Sequence, residues 1–145
     1  MAQLAFLIVI LGLVVDYGSV LFRTNAITAQ KASIAALAEP MADYGTAVKH
    51  WAASNTSYTG SVSDSTIALP TWIYHASNVS NYVSSGTVYV YFTPNNSVTP
   101  NNIAGFLAQQ GDVAGINTNG TLYNGTTVVG TVPTAVPTGA AVLVL

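Results

Sequence analysis

Residues 4–22, LAFLIVILGLVVDYGSVLF, form an almost wholly apolar run that carries one acid, Asp16. A helix needs roughly 20 mostly apolar residues to cross a bilayer core of about 30 Å, and this run just meets that length. Such a segment is either kept as an anchor or removed on export. An export signal would carry a basic start and a small-residue cleavage site. Met1-Ala2-Gln3 has no basic side chain, and Thr24-Asn25-Ala26 is a poor site. Residues 1–23 are therefore read as a transmembrane anchor, with a cleaved signal as the alternative.

An acid at mid-membrane costs about 2.5–3.5 kcal/mol on insertion scales and less near an interface. Asp16 lies about 9 Å of helix from the end of the run, where water can reach it. A second reading uses its neighbours. Gly12, Asp16, Ser19 and Arg23 follow at i, i+4, i+7 and i+11 and so share one helix face. A small-and-polar face on a Leu/Val/Ile helix favours contact with another helix in lipid. Orientation draws on two opposed signals. Arg23 and Lys31 after the run, against the α-amino group alone before it, would place the carboxyl side in the cytoplasm. The charge-poor Asn/Ser/Thr content downstream points outward, and the outward orientation is preferred.

The helical pattern continues past Phe22. Ile27, Ile34, Met41 and Val48 recur every seven residues, and Gln30, Leu37, Tyr44 and Trp51 form a second row. Together they make a seam along one face, in a stretch whose abundant Ala favours helix. Pro40 should kink this helix, or end one near Glu39 and start another. Residues 24–53 are read as a helical stalk whose Ile27, Ile34, Leu37, Met41 and Tyr44 face the core of the following domain or a partner.

Once residues 4–22 are set aside, roughly 120 residues remain, enough to bury a core without disulfides or metal. SNTSYTGSVSDST is a polar loop, TIALP a helical turn or strand entry, and PTWIYHASNVSNYVSSG a mixed aromatic stretch. TVYVYF (87–92) reads as a strand ending before Pro94. After Pro100, the apolar Ile103, Phe106 and Leu107 share a helix face, with Gly111 as a helix end. Gly115, Gly120, Gly125 and Gly130 then fall every five residues. Asn119-Gly120 and Asn124-Gly125 are hairpin-turn dipeptides, since both residue types tolerate positive φ. TVPTAVPTG is a stiff turn segment, and AAVLVL a buried terminal strand, internal or edge.

Little in the chain suggests chemistry. There is no cysteine, so no disulfide, Cys nucleophile or Cys-ligated metal. Only His50 and His75 are present, which rules out a three-His zinc site. No Gly-x-Ser-x-Gly, P-loop or Gly-x-Gly-x-x-Gly occurs. The five acids, Asp16, Glu39, Asp43, Asp64 and Asp112, are scattered, and a Ser-His-Asp triad from Asp64 and His75 is only arithmetically available. Three basic side chains argue against a nucleic-acid surface, and a net charge of −2 is too small to imply a cationic partner. Neither a cofactor nor a small-molecule substrate is implied. Two aromatic–His clusters remain, His50-Trp51 and Trp72-Ile73-Tyr74-His75. Core packing with a polar tip at the surface explains either. The second, with Trp72, Tyr74 and His75, is also a candidate interface, since Trp and Tyr are favoured anchors.

The order of segments carries a resemblance. An apolar amino terminus runs into an Ala-rich helix, followed by SVSDSTIALPTW, GTVYVYF, GINTNGTLYNG and VPTAVPTGAAVLVL. This resembles the PilM family of type IVb pilus systems, the short PilM of thin conjugative pili, as distinct from the larger actin-like protein of the same name. The resemblance covers nearly the whole chain. It implies a component of the pilus assembly base at the bacterial inner membrane, with the carboxyl side in the periplasm, and supplies no catalytic residues. A pilin-like subunit would share the outline. Pilins, however, carry a Glu near the start of the helix and a short basic leader, and here the first acid is Asp16. A secreted or periplasmic binding domain with a cleaved signal is the third alternative.

The expected architecture is thus α+β. A transmembrane helix (1–23) continues into an Ala-rich helix (24–53), and a small α+β head (54–145) with antiparallel strands follows. The expected role is non-enzymatic scaffolding or recruitment. Other pilus assembly proteins, the membrane and a second copy of the chain are the expected partners, with contacts from Gly12, Asp16 and Ser19 in the span and from Trp72, Tyr74 and His75 in the head.

Overall fold

The computed structural model describes residues 2–94 and 99–145, with side chains described from residue 27 onward. Helix α1 runs over Ala2–Ala53. It is followed by β1 (Thr59–Gly60), α2 (Asp64–Ile67), β2 (Val79–Ser84), β3 (Thr87–Phe92), α3 (Pro100–Gln109), β4 (Val113–Thr118), β5 (Thr121–Asn124), β6 (Thr127–Thr131) and β7 (Ala141–Val144). The protein is α+β: a long amino-terminal helix and a small antiparallel sheet. It divides into two compact units, Met1–Ser33 and Ile34–Leu145. The first is helical. The second contains α1 from Ile34 onward and every other element.

Gly12, Asp16 and Ser19 fall within α1, and their side chains lie outside the described residues. Among the described residues no helix is long and apolar enough to cross a membrane.

Pro40 does not end the helix. α1 continues through it to Ala53, although proline removes one helical hydrogen bond and crowds the carbonyl four residues earlier, at about 3 kcal/mol. Ala36, whose carbonyl loses its partner, is exposed and can reach water, while Ala38 and Met41 on either side of the proline are buried. Packing on both sides holds the helix where propensity would break it. The seam is buried only in part. Met41, Tyr44 and Val48 enter the core with Ala38 and Ala52, and Leu37 and Trp51 pack against it. Ile27, by contrast, is 55% exposed. Gly45 sits at the closest approach: a Cβ there would lie 2.6 Å from Leu145 Cδ1 and 3.0 Å from Val90 Cγ2.

The seven strands are ordered β1-β2-β3-β7-β4-β5-β6, each antiparallel to its neighbours. β7 lies in the middle, so the terminal AAVLVL is an internal strand. Alternation sorts the side chains. Val79, Asn81 and Val83 of β2 and Val88, Val90 and Phe92 of β3 are buried, and the valines and Phe92 join α1 and α3 in the main core. On α3, Ile103, Ala104 and Leu107 are buried. Leu122, Val132, Val136, Ala140 and Val142 form a second cluster, against which Tyr82, Tyr89 and Tyr91 pack.

Two-residue turns set the registers. Asn119 and Gly120, at φ 53° and 88°, join β4 to β5 with the paired positive φ of a type I′ turn. Ser85 and Gly86, at 49° and 86°, do the same between β2 and β3, a hairpin hidden inside the stretch read as mixed. Asn124-Gly125 differs from the expectation. Asn124 is the last residue of β5 and pairs with Thr127, so Gly125 (φ 61°) and Thr126 form the turn. Only its first position needs a positive φ, as in type II′.

Candidate functional site

The segment between α2 and β2, residues 68–78, carries the aromatic cluster. Ser63 caps α2, accepting from Thr66 N at 3.3 Å. Ala68 ends it in the left-handed region at φ 51°. Pro70 then starts a turn closed by Ile73 N donating to Pro70 O at 2.9 Å. The turn leaves Trp72 77% exposed and Tyr74 77% exposed.

His75 turns the other way. Its ring stacks on Tyr44 with centroids 4.0 Å apart. Nε2 lies 3.1 Å from Asp64 Oδ2, and Nδ1 lies 3.1 Å from Ala76 O. The pair is an ion pair when the ring is protonated, with side chains 16% (His75) and 53% (Asp64) exposed. Both ring nitrogens face oxygens, so neither is left to draw a proton from a serine. The Asp64–His75–serine arrangement is therefore closed to nucleophilic catalysis in this geometry.

A buried network lies behind this pair. Tyr44 donates to Asp64 Oδ1 at 3.2 Å and accepts from Asn81 Nδ2 at 2.6 Å. Asn81 also pairs with both backbone groups of Val62, accepting from its N–H at 2.9 Å and donating to its carbonyl at 2.7 Å. Burial pushes the Tyr44 phenol up to about 12; the Asn81 hydrogen bond opposes that rise and the Asp64 carboxylate adds to it. Asn81 went unremarked in the sequence. Its signal was available: NVSNYVS alternates, and Val79/Asn81/Val83 places an amide on the buried side.

This scaffold holds Trp72 beside a cavity of about 390 Å³. Asp43, Thr46, Ala47 and His50 of α1 form one wall, and Ile67, Ala68, Pro70, Trp72 and Ile73 form the other. The structure thus brings together His50 and Trp72, one residue from each aromatic–His cluster. Trp51 stands apart, edge-to-face with Tyr58 at 5.0 Å. A second groove, about 500 Å³, lies beside Asn101, Ile116, Thr118, Tyr123, Gly125 and Thr126 and has no charged side chain in its lining. Among the described residues no cluster of His, Cys, Asp or Glu could hold a metal ion. What the first cavity can do chemically is bind, through an apolar lining, a carboxylate and an indole.

Among solved structures, the chain is similar to a crystal structure described as a PilM protein from Pseudomonas aeruginosa 2192, at 23% identity and TM-score 0.44, covering 76% of this chain and 92% of that one. It is also similar to one described as PilM from Escherichia coli B7A, at 21% identity and TM-score 0.44, covering 85% and 94%. No curated protein gives a significant match. The PilM family profile matches residues 9–144. With a match over nearly its whole length, the chain belongs to the PilM family.

Proposed function

We propose that this protein is a non-enzymatic component of the type IVb pilus assembly machinery, anchored in the bacterial inner membrane by residues 4–22 with its head in the periplasm. The PilM family match carries this reading, and it supports a pilus-related role with other pilus proteins as partners. The apolar run supplies the anchor, and Gly12, Asp16 and Ser19 its contact with a neighbouring helix. The exposed Trp72 and Tyr74 supply a recruiting surface on a loop that is tied down by His75. Such a surface positions a partner without turnover.

The first test is the intact mass and amino-terminal sequence of the native protein from separated membrane and soluble fractions. An intact amino terminus in the membrane fraction supports the anchor. A soluble chain starting near Ile27 would make residues 4–22 a signal and move the role to a free periplasmic or secreted binder. The second test replaces Trp72 and Tyr74 with Ala. Lost partner capture and lost piliation in a folded variant support recruitment; unchanged piliation removes this surface from the account.

A further inference from the structure

The cavity beside Trp72 has a charge as well as a shape. The unit Ile34–Leu145 holds four acids, Glu39, Asp43, Asp64 and Asp112, against one base, Lys49. Asp64 is engaged by His75 and Tyr44. Asp43 lines the cavity, and exposed Glu39 lies one helical turn before it on the same face of α1. No ion pair of Asp43 or Glu39 occurs among the described residues. The opposite wall presents the indole of Trp72, and Ala47, Ile67 and Ile73 supply apolar lining.

A cation seated there would meet a carboxylate on one side and an aromatic ring on the other. That combination attracts Lys or Arg, and Arg more often. The apolar lining calls for an aliphatic neighbour. We infer that the groove between α1 and residues 67–73 recognises a protein segment that presents an Arg or Lys next to an apolar side chain. The inference rests on the recruitment reading and names the chemistry of the partner. A second copy fits poorly, because its head carries the same excess of acid and two heads repel. Pre-organisation favours a defined ligand: Pro70, the Ile73–Pro70 turn and the His75 anchor fix the loop before anything binds, so little ordering entropy is lost.

The test uses the full-length chain in lipid nanodiscs with Trp51→Phe, which leaves Trp72 as the only tryptophan. Three capped pentapeptides, Gly-Leu-X-Leu-Gly with Arg, citrulline or Glu at X, are titrated against its emission. The Arg peptide should give a saturable shift, the citrulline peptide should bind about tenfold more weakly, and the Glu peptide should give no response. Asp43→Asn with Glu39→Gln should weaken the Arg peptide by about the same factor, both positions being exposed enough to leave folding intact. Equal responses to all three peptides, or none to the Arg peptide, would overturn the inference. Piliation measured with the same variants separates this from failure of the recruitment reading. Peptide recognition lost with piliation normal sinks recruitment through this groove and leaves the recognition chemistry standing. Piliation lost in Trp72→Ala, together with no response to the Arg peptide from the protein that keeps Trp72, sinks the cation chemistry and leaves recruitment standing.

Discussion

The sheet has two wings about β7, and they are held in different ways. On one side, β1, β2 and β3 are tied to α1 and α2 by side chains: Asn81, Tyr44, Asp64 and His75 link four separate stretches of sequence. On the other side, β4, β5 and β6 follow one another through two-residue turns, and their shape is set by backbone conformation. The one buried amide there, Asn117, also serves the backbone, donating to Val136 O and Pro137 O and accepting from Gly120 N. The surface proposed to meet a partner lies on the side-chain wing. An irregular loop such as 68–78 has no ladder of its own, and a polar network can fix it where a turn type cannot.

Replacing Asn81 with Leu should do the most damage. It strands Val62 N–H and the Val62 carbonyl and removes the donor to the Tyr44 oxygen, and we expect a loss of about 3 kcal/mol in urea unfolding. A loss under about 1 kcal/mol would mean that the side-chain wing does not depend on this network. Gly115→Ala tests the backbone wing. A Cβ there would lie 2.5 Å from Tyr123 O and 2.8 Å from Tyr123 C, backbone atoms that cannot rotate away. A loss of about 2 kcal/mol is expected. Gly45→Ala, which meets the ends of Leu145 and Val90 side chains, should lose less. Equal losses at the two glycines would blur the distinction.

Smaller effects sharpen the comparison. His75→Gln removes a partly exposed hydrogen bond to Asp64 and a ring stack, and should lose about 1 kcal/mol or less. It should also loosen residues 68–78, read as faster amide exchange there and unchanged exchange in β4–β6. Tyr44 adds a pH signature. Its phenol is favoured in the protonated form by the fold, so its contribution is fully present below pH 10 and is lost as pH rises toward about 12. Alkaline melts should therefore fall less steeply in Tyr44→Phe than in the parent. Trp72→Ala should change stability by less than about 0.5 kcal/mol, the range for an exposed side chain free of such networks.

The legible parts of the sequence were those governed by local rules. TVYVYF is β3 over the residues expected, the Ile103/Phe106/Leu107 face follows Pro100 as α3, and Asn119-Gly120 is a hairpin turn. Local rules left alternatives open, or misled, where tertiary contacts decide. Pro40 passes through a helix because buried residues flank it on both sides. Asn124 joins a strand because the pairing with Thr127 fixes the turn one residue later. β2 was obscured because its Ser and Asn residues lower the apparent strand signal, although its Val79/Asn81/Val83 alternation faces the core. For the candidate site, the aromatic cluster stood out by composition. That Trp72 and Tyr74 point outward while His75 turns inward to Asp64 depends on a partner eleven residues away, and no local pattern encodes it.

The central place of β7 bears on how the protein is made. Its register partners on either side, in β3 and β4, emerge from the ribosome well before it does. A nascent chain stopped before Ala141 holds two half-sheets with no strand to join them. Closure therefore waits on Ala141–Val144, and contacts so distant in sequence form slowly.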